Sequence, residues 1–172
     1  MIMPRGEPLL LPVNPVFIAA SLAVGVAANL LPLGRVVWMP DLRLLLLVFW
    51  GVHQPQRIGM GTAFVLGLCM DVGQSALLGQ HALSYTLLSF GAIAIHRRLM
   101  WLSVPSQALQ VLPLFALAHA VEVLLRMAAG GIFPGLWSFL APLLETLLWP
   151  LASWVLLAPQ RRPPDADQNR PL

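Results

Sequence analysis

The sequence predicts an all-α, polytopic bundle of about six transmembrane helices. Of its 172 residues, 58% are hydrophobic and only 10% are charged, whereas an ordinary soluble domain is about half apolar and about a quarter charged. The apolar residues form long runs, and crossing about 30 Å of hydrocarbon takes roughly 20 residues. Most of the few charges stand at the ends of those runs. Lipid is therefore the natural solvent for most of the chain.

The apolar runs divide residues 1–158 into a single integral membrane domain of six helices. The first run carries no charge, and because further spans follow it we predict an uncleaved helix rather than a secretory signal. The second is short, with Pro40 and Asp41 at its start, where proline and an acid suit a helix N-terminus. Either residues 36–39 complete that helix or the bilayer thins around it. The predicted helices are residues 16–33, 40–53, 58–74, 82–96, 104–125 and 136–158.

Turn residues and charges separate the later helices. The third helix follows a turn at His53-Gln54-Pro55, and the fourth stops at His96-Arg97-Arg98. Gly130, Gly131 and Pro134 break the chain between the fifth and sixth helices. Residues 159–172 are charged and rich in proline, which predicts a disordered tail.

Arginine placement indicates the orientation. All ten basic residues are arginine. With six helices, one side of the membrane holds the two tails and the second and fourth loops, with seven arginines, and the other side holds three. Because basic residues concentrate in cytoplasmic segments, both termini are expected in the cytoplasm.

Composition and motifs exclude several function classes. The arginines form no stripe along one face, which argues against nucleic-acid binding. Cys69 is the only cysteine, so no disulfide framework or cysteine-rich metal site exists. The sequence lacks a phosphate-binding loop, a metalloprotease motif and a nucleophile elbow, and its loops are too short to build a separate active site. We therefore predict a protein without enzyme activity, cofactor or metal.

A row of small residues leads to a carboxylate in the third helix. Gly59, Ala63, Gly67 and Asp71 follow at intervals of four, and residues four apart share one helix face. Small rows let another backbone approach closely in membranes. The row is predicted to be either the tightest internal contact or a face for a partner. Asp71 is predicted either to lie at the membrane–water interface or to be part of a functional polar site.

The last two helices contain further ionisable residues. His119, Glu122 and Arg126 form one stripe, with Glu122 and Arg126 in the favourable order for an ion pair, and Glu145 is the other deeply placed acid. A polar cluster that fixes how helices dock is the leading interpretation. A proton or metal path through these residues is an alternative, although a lone His–Glu pair is a weak metal signal.

The residues from Pro40 to His81 resemble a known family. They read Pro40-Asp41-Leu42, a turn at Gln54-Pro55-Gln56-Arg57, then Gly67-Leu68 and Met70-Asp71-Val72, and finally Leu78-Gly79-Gln80-His81; Leu148-Trp149-Pro150 follows near the C-terminus. This pattern is similar to the rod shape-determining protein MreD of Gram-negative bacteria. The motif positions expected to matter are Arg57, Gly59, Gly67, Asp71, Leu78, Gly79 and His81.

The resemblance implies a subunit of the cell-elongation machinery in the bacterial inner membrane. MreD-like proteins are associated with MreC, the MreB filament, and RodA with its transpeptidase partner, which together direct lateral peptidoglycan synthesis. The family's fold is expected to resemble the membrane substrate-binding subunits of ECF transporters. A scaffold that acts by binding these proteins is thus the leading hypothesis. The alternative is a small-molecule binding subunit of an uptake transporter. It ranks second because the sequence offers few polar residues to line a ligand cavity.

Overall fold

The computed structural model describes residues 13–30 and 39–161, and every regular element within them is helical. Two short 3₁₀ helices, Leu136–Phe139 and Ala158–Gln160, flank the last α-helix. The six α-helices are α1 (Pro15–Leu30), α2 (Leu42–His53), α3 (Met60–Gly73), α4 (Gln80–Met100), α5 (Val104–Ala128) and α6 (Leu140–Leu157).

The helix order agrees with the sequence prediction, and the boundaries differ in places with identifiable causes. Helix α2 begins at Leu42 rather than at residue 40, because Asp41 is its N-cap and accepts a hydrogen bond from the Arg43 amide. Helix α4 continues past residue 96 to Met100, with Arg97 and Arg98 in its last turn. Cations there interact favourably with the helix dipole, so the two arginines stabilise the helix end rather than stopping the helix. Helix α5 extends past residue 125 with Arg126 in its last turn.

Some sequence predictions fall on residues outside the described part of the chain. They concern the end of the first helix at residues 31–33, the extension of α2 by residues 36–38, and most of the predicted tail, residues 162–172. Gln160, at the start of that tail, lies in a 3₁₀ helix and is buried.

Helix α2 lies at the centre of the bundle. It packs against α1, α4 and α6, and nine of its twelve residues are buried. A helix that is apolar and buried all round is a core helix, not a surface one. At 1.5 Å per residue, α2 is only about 18 Å long. Because other helices enclose it, this short helix presents little surface to lipid.

Aromatic side chains fill the space around α2. Phe49 of α2 lies 6.0 Å from Trp149 of α6 between ring centroids, and Phe115 of α5 lies 6.5 Å from the same Trp149 ring. The neighbouring Trp50 indole donates a hydrogen bond of 2.8 Å to the Ser21 hydroxyl of α1. A buried indole nitrogen needs such a partner. These contacts hold α1 and α6 against α2, and α5 against α6.

Within the described residues, two helical stretches are both long and apolar enough to cross a membrane, Val104–Ala128 and Leu136–Gln160. Each has 25 residues, or about 37 Å of helix. Trp101 and Trp137 stand beyond the two ends of α5 and are 91% and 69% exposed. Tryptophan at both ends of a span is typical of the two membrane interfaces.

Helices α3 and α4 form a hairpin with a close backbone contact. A Cβ built at Gly67 would lie 2.6 Å from the Ala82 amide nitrogen and 2.7 Å from the His81 carbonyl carbon. Those atoms belong to the first turn of α4 and cannot rotate away as a side chain could. Gly67 therefore sets the distance between the two helices.

We predict that Gly67→Leu destabilises the fold by about 3 kcal/mol, the upper part of the usual cost of overpacking. Thermal unfolding of the purified chain in detergent measures this loss. Gly61→Leu is the matched control, because a Cβ at Gly61 meets nothing within 4 Å. Equal unfolding temperatures for the two variants would contradict the close contact.

Candidate functional site at one end of the bundle

Asp71 caps the helix that follows its own. The first N–H groups of an α-helix have no partner within the helix, and Gly79, the N-cap residue of α4, has no side chain to supply one. Asp71, in the last turn of α3, accepts hydrogen bonds from the amides of Gly79 at 2.7 Å and His81 at 2.8 Å. Its carboxylate thus ties the end of α3 to the start of α4.

The His81 side chain joins the same carboxylate. Its Nδ1 lies 2.8 Å from Asp71 Oδ1, and both residues are buried. Gly79 has φ of +99°, a left-handed conformation that glycine adopts without strain. The turn between α3 and α4 therefore needs glycine at this position.

A second pair of charges stands at the start of α2. Asp41 accepts hydrogen bonds from the Arg43 amide at 2.9 Å and from Arg43 Nε at 2.8 Å, and its other carboxylate oxygen pairs with Arg43 Nη2. Both residues are buried. A buried arginine is stable only when an opposite charge and hydrogen bonds compensate its lost hydration. Asp41 provides the charge and the hydrogen bonds of Nε and Nη2, while Nη1 has no hydrogen bond among the described residues.

Glu145 connects this pair to the last two helices. Glu145 Oε1 accepts a hydrogen bond of 2.9 Å from the Asp41 amide and lies 2.8 Å from His119 Nε2. The carboxyl group is fully buried in α6. One oxygen thus holds α6 to the N-terminus of α2 and to α5.

Tyr85 and Glu122 lie between the two sets of charges. The Tyr85 ring is 5.9 Å from the Arg43 guanidinium carbon and 5.9 Å from the His81 ring. Glu122 interacts electrostatically with His81, His119, Asp41 and Arg43. All these groups form what we call the polar cluster: Asp41, Arg43, Asp71, His81, Tyr85, His119, Glu122 and Glu145.

The polar cluster occupies one end of the bundle. It is built from the starts of α2, α4 and α6 and the later parts of α3 and α5. Of the seven buried side-chain polar atoms without a hydrogen bond among the described residues, four belong to this cluster: Arg43 Nη1, the Tyr85 hydroxyl, Glu122 Oε1 and Glu145 Oε2. A buried polar atom without a partner costs about 1–3 kcal/mol, so a group of four such atoms marks a candidate functional site.

The structure corrects one pairing expected from the sequence. Glu122 and Arg126 do not form an ion pair among the described residues, because Glu122 faces the polar cluster while Arg126 is exposed. His119 pairs with Glu145 instead. Within residues 13–30 and 39–161, no group of three or more His, Cys, Asp and Glu side chains is arranged to hold a metal ion.

The remaining predicted residues divide between the interior and the surface. Ala63, Gly67 and Asp71 are buried, whereas Gly59 is the N-cap of α3 with open space beside it. Leu78 is 73% exposed in the turn before α4. Arg57 lies outside the polar cluster, where its Nη1 donates a hydrogen bond of 3.1 Å to the Val13 carbonyl.

Sequence reasoning missed three members of the polar cluster, Asp41, Arg43 and Tyr85. The signal for Arg43 was present, because it is a charge inside the apolar run that forms α2, and such charges mark polar sites in membrane proteins. Tyr85 is the only tyrosine in the chain, but nothing in its sequence neighbourhood points to a cluster.

A comparison with protein families matches residues 10–159 to the model of the rod shape-determining protein MreD. The match covers nearly the whole chain, including all six described helices. No solved structure matches the chain, so the expected likeness to the substrate-binding subunits of ECF transporters stays an expectation.

We predict that Asp71→Asn destabilises the protein by about 2 kcal/mol. Its backbone partners are all N–H donors, and asparagine would turn an NH₂ group toward some of them, leaving buried donors unpaired. Thermal unfolding in detergent measures the loss. His81→Asn keeps the capping amide and should cost less, so an equal loss in both variants would contradict a capping role.

At Glu145 we predict that glutamine is tolerated and alanine is not. Glutamine keeps the oxygen that accepts from Asp41 and lies against His119, so the free energy of unfolding should fall by less than about 1 kcal/mol. Alanine leaves His119 and the buried amide without a partner and should cost about 3 kcal/mol. A higher unfolding temperature for Glu145→Ala than for Glu145→Gln would exclude the proposed geometry.

Proposed function

Because the chain belongs to the MreD family of rod shape-determining proteins, we propose that it is a non-enzymatic membrane subunit of the machinery that elongates rod-shaped bacterial cells. The observation that carries the proposal is the family match over residues 10–159. The family determines rod shape as a membrane protein, and the helical fold with its apolar stretches agrees with that setting.

The mechanism that fits this structure is positional. The ionisable side chains of the polar cluster bond chiefly with one another and with helix ends. The outward faces of α5 and α6 are apolar, with Leu109, Leu124, Leu147 and Trp154 all more than 60% exposed. Such faces contact lipid or other membrane helices. The subunit thus acts by holding its partners in place.

The proposed partners are those that the family resemblance implies. They are MreC, the MreB filament, and RodA with its transpeptidase partner. In this proposal the chain binds them through its outer helix faces and cytoplasmic ends, and so helps to place peptidoglycan insertion along the cylinder wall.

We place the protein in the inner membrane with six crossing helices and both termini in the cytoplasm. The arginine distribution, seven against three, supports this orientation. The polar cluster then lies in the periplasmic half of the bundle, and the turn between α2 and α3 faces the cytoplasm. Reporter fusions to the C-terminus and to the α5–α6 loop should report opposite sides of the membrane.

The residues singled out by the sequence have distinct roles in this proposal. Gly67, Asp71, Gly79 and His81 hold the α3–α4 hairpin. A second set, His119, Glu122 and Glu145, holds α5 and α6 against α2. In this assignment, the row from Gly59 to Asp71 is an internal contact, because its last three members are buried.

Two other functions stay predictions. A small-molecule binding subunit needs a polar cavity, and a ligand recovered in stoichiometric amount with the purified protein would favour it. A proton or metal path needs the carboxylates of Glu122 and Glu145. If such a path exists, the double variant Glu122→Gln, Glu145→Gln should fold stably but lose its function. Full function in that double variant would remove this alternative.

We predict that depletion of the protein in rod-shaped cells makes them round, because lateral wall synthesis loses its spatial control. Light microscopy of cell width and length measures the change, and a wild-type copy should restore the rod. In-cell crosslinking should recover MreC or RodA. Depleted cells that keep their width and cylindrical shape would contradict the proposal.

A further inference from the structure

An apolar groove runs between the first halves of α1 and α3. It encloses about 880 Å³, and its lining includes Ile18, Leu22, Gly61 and Val65. Thr62 also lines it, but its hydroxyl donates to the Gly59 carbonyl at 2.7 Å and is therefore satisfied. The groove wall thus suits a hydrocarbon occupant along most of its length.

The groove has one polar end, at Arg57. This arginine lies at the start of the groove, in the turn before α3, and is exposed. A guanidinium has five N–H donors, and among residues 13–30 and 39–161 the Arg57 side chain forms one hydrogen bond, to the Val13 carbonyl. The remaining donors are available to an anion, and arginine binds phosphate oxygens in a fork geometry.

The length of the groove distinguishes a lipid chain from a protein helix. The lining extends from Pro15 to Ala23 along α1, which is about 12 Å of helix. On the other side it extends from Arg57 in the turn before α3 to Leu66 within α3. One leaflet contributes about 15 Å of hydrocarbon, whereas a crossing helix needs about 30 Å. The groove therefore matches a single leaflet.

We propose that this groove binds an anionic phospholipid, with an acyl chain between α1 and α3 and the phosphate at Arg57. The leaflet is the one at the starts of α1 and α3, which is the cytoplasmic leaflet in the proposed orientation. Only that assignment of the leaflet rests on the proposed function. The groove, its apolar wall and its arginine do not depend on it.

Native mass spectrometry of the full chain tests the proposal, after extraction from vesicles of equal parts phosphatidylglycerol and phosphatidylethanolamine. The wild-type protein should retain phosphatidylglycerol in preference to phosphatidylethanolamine. Arg57→Gln should lower that preference by about fivefold, the effect of one basic residue near a lipid surface. Arg98→Gln is the control, since it removes an exposed charge outside the groove lining. Equal preference in Arg57→Gln and wild type would overturn the proposal.

A groove-filling variant provides an independent test. Gly61→Leu should reduce lipid retention severalfold while the protein folds normally, because a Cβ there meets open space. Ala94→Leu adds a similar side chain at an exposed position of α4 and should leave retention unchanged. A photoreactive residue at position 65 should form adducts with lipid, and adducts with a polypeptide instead would overturn the proposal. Lipid retention in detergent is independent of cell shape, so its failure and that of the elongation role are separately observable.

Discussion

The Glu145 carboxylate is the interaction on which the arrangement of the helices most depends. One of its oxygens accepts from the Asp41 backbone amide, 104 residues away in sequence, and contacts His119 of α5. A buried charge is costly unless it is paired and hydrogen-bonded. The cost is lowest only when α2, α5 and α6 meet in one geometry, so the carboxylate specifies that geometry as well as stabilising it.

The same principle explains why α2 can be short and central. Its N-terminus is closed by Asp41, and the Arg43 guanidinium is paired with that carboxylate instead of reaching water. The rest of the helix is apolar and enclosed by neighbours. A helix in this position needs no full bilayer length, because protein rather than lipid surrounds its ends.

The bundle is chemically asymmetric from end to end. Ionisable groups gather at the end where α2, α4 and α6 begin, while the exposed Arg57, Arg97 and Arg98 and the apolar groove lie toward the other end. Polar groups that pair internally fix how the helices dock, and apolar outer faces remain for lipids and other membrane proteins. This division suits a subunit whose contribution is contact.

The sequence by itself determined the helical membrane class, the order of six helices, the family likeness, and the row of small residues ending at Asp71. The family likeness rests on the motifs between Pro40 and His81. The other features follow from local rules, since apolar run length and four-residue spacing are properties of a single helix. Tertiary structure alone decided that Glu122 turns away from Arg126, that His119 pairs with Glu145, and that Asp41, Arg43 and Tyr85 join the polar cluster. The helix surface permits several pairings at similar local energy, and only the packing of neighbouring helices excludes water from some of them and thereby selects one.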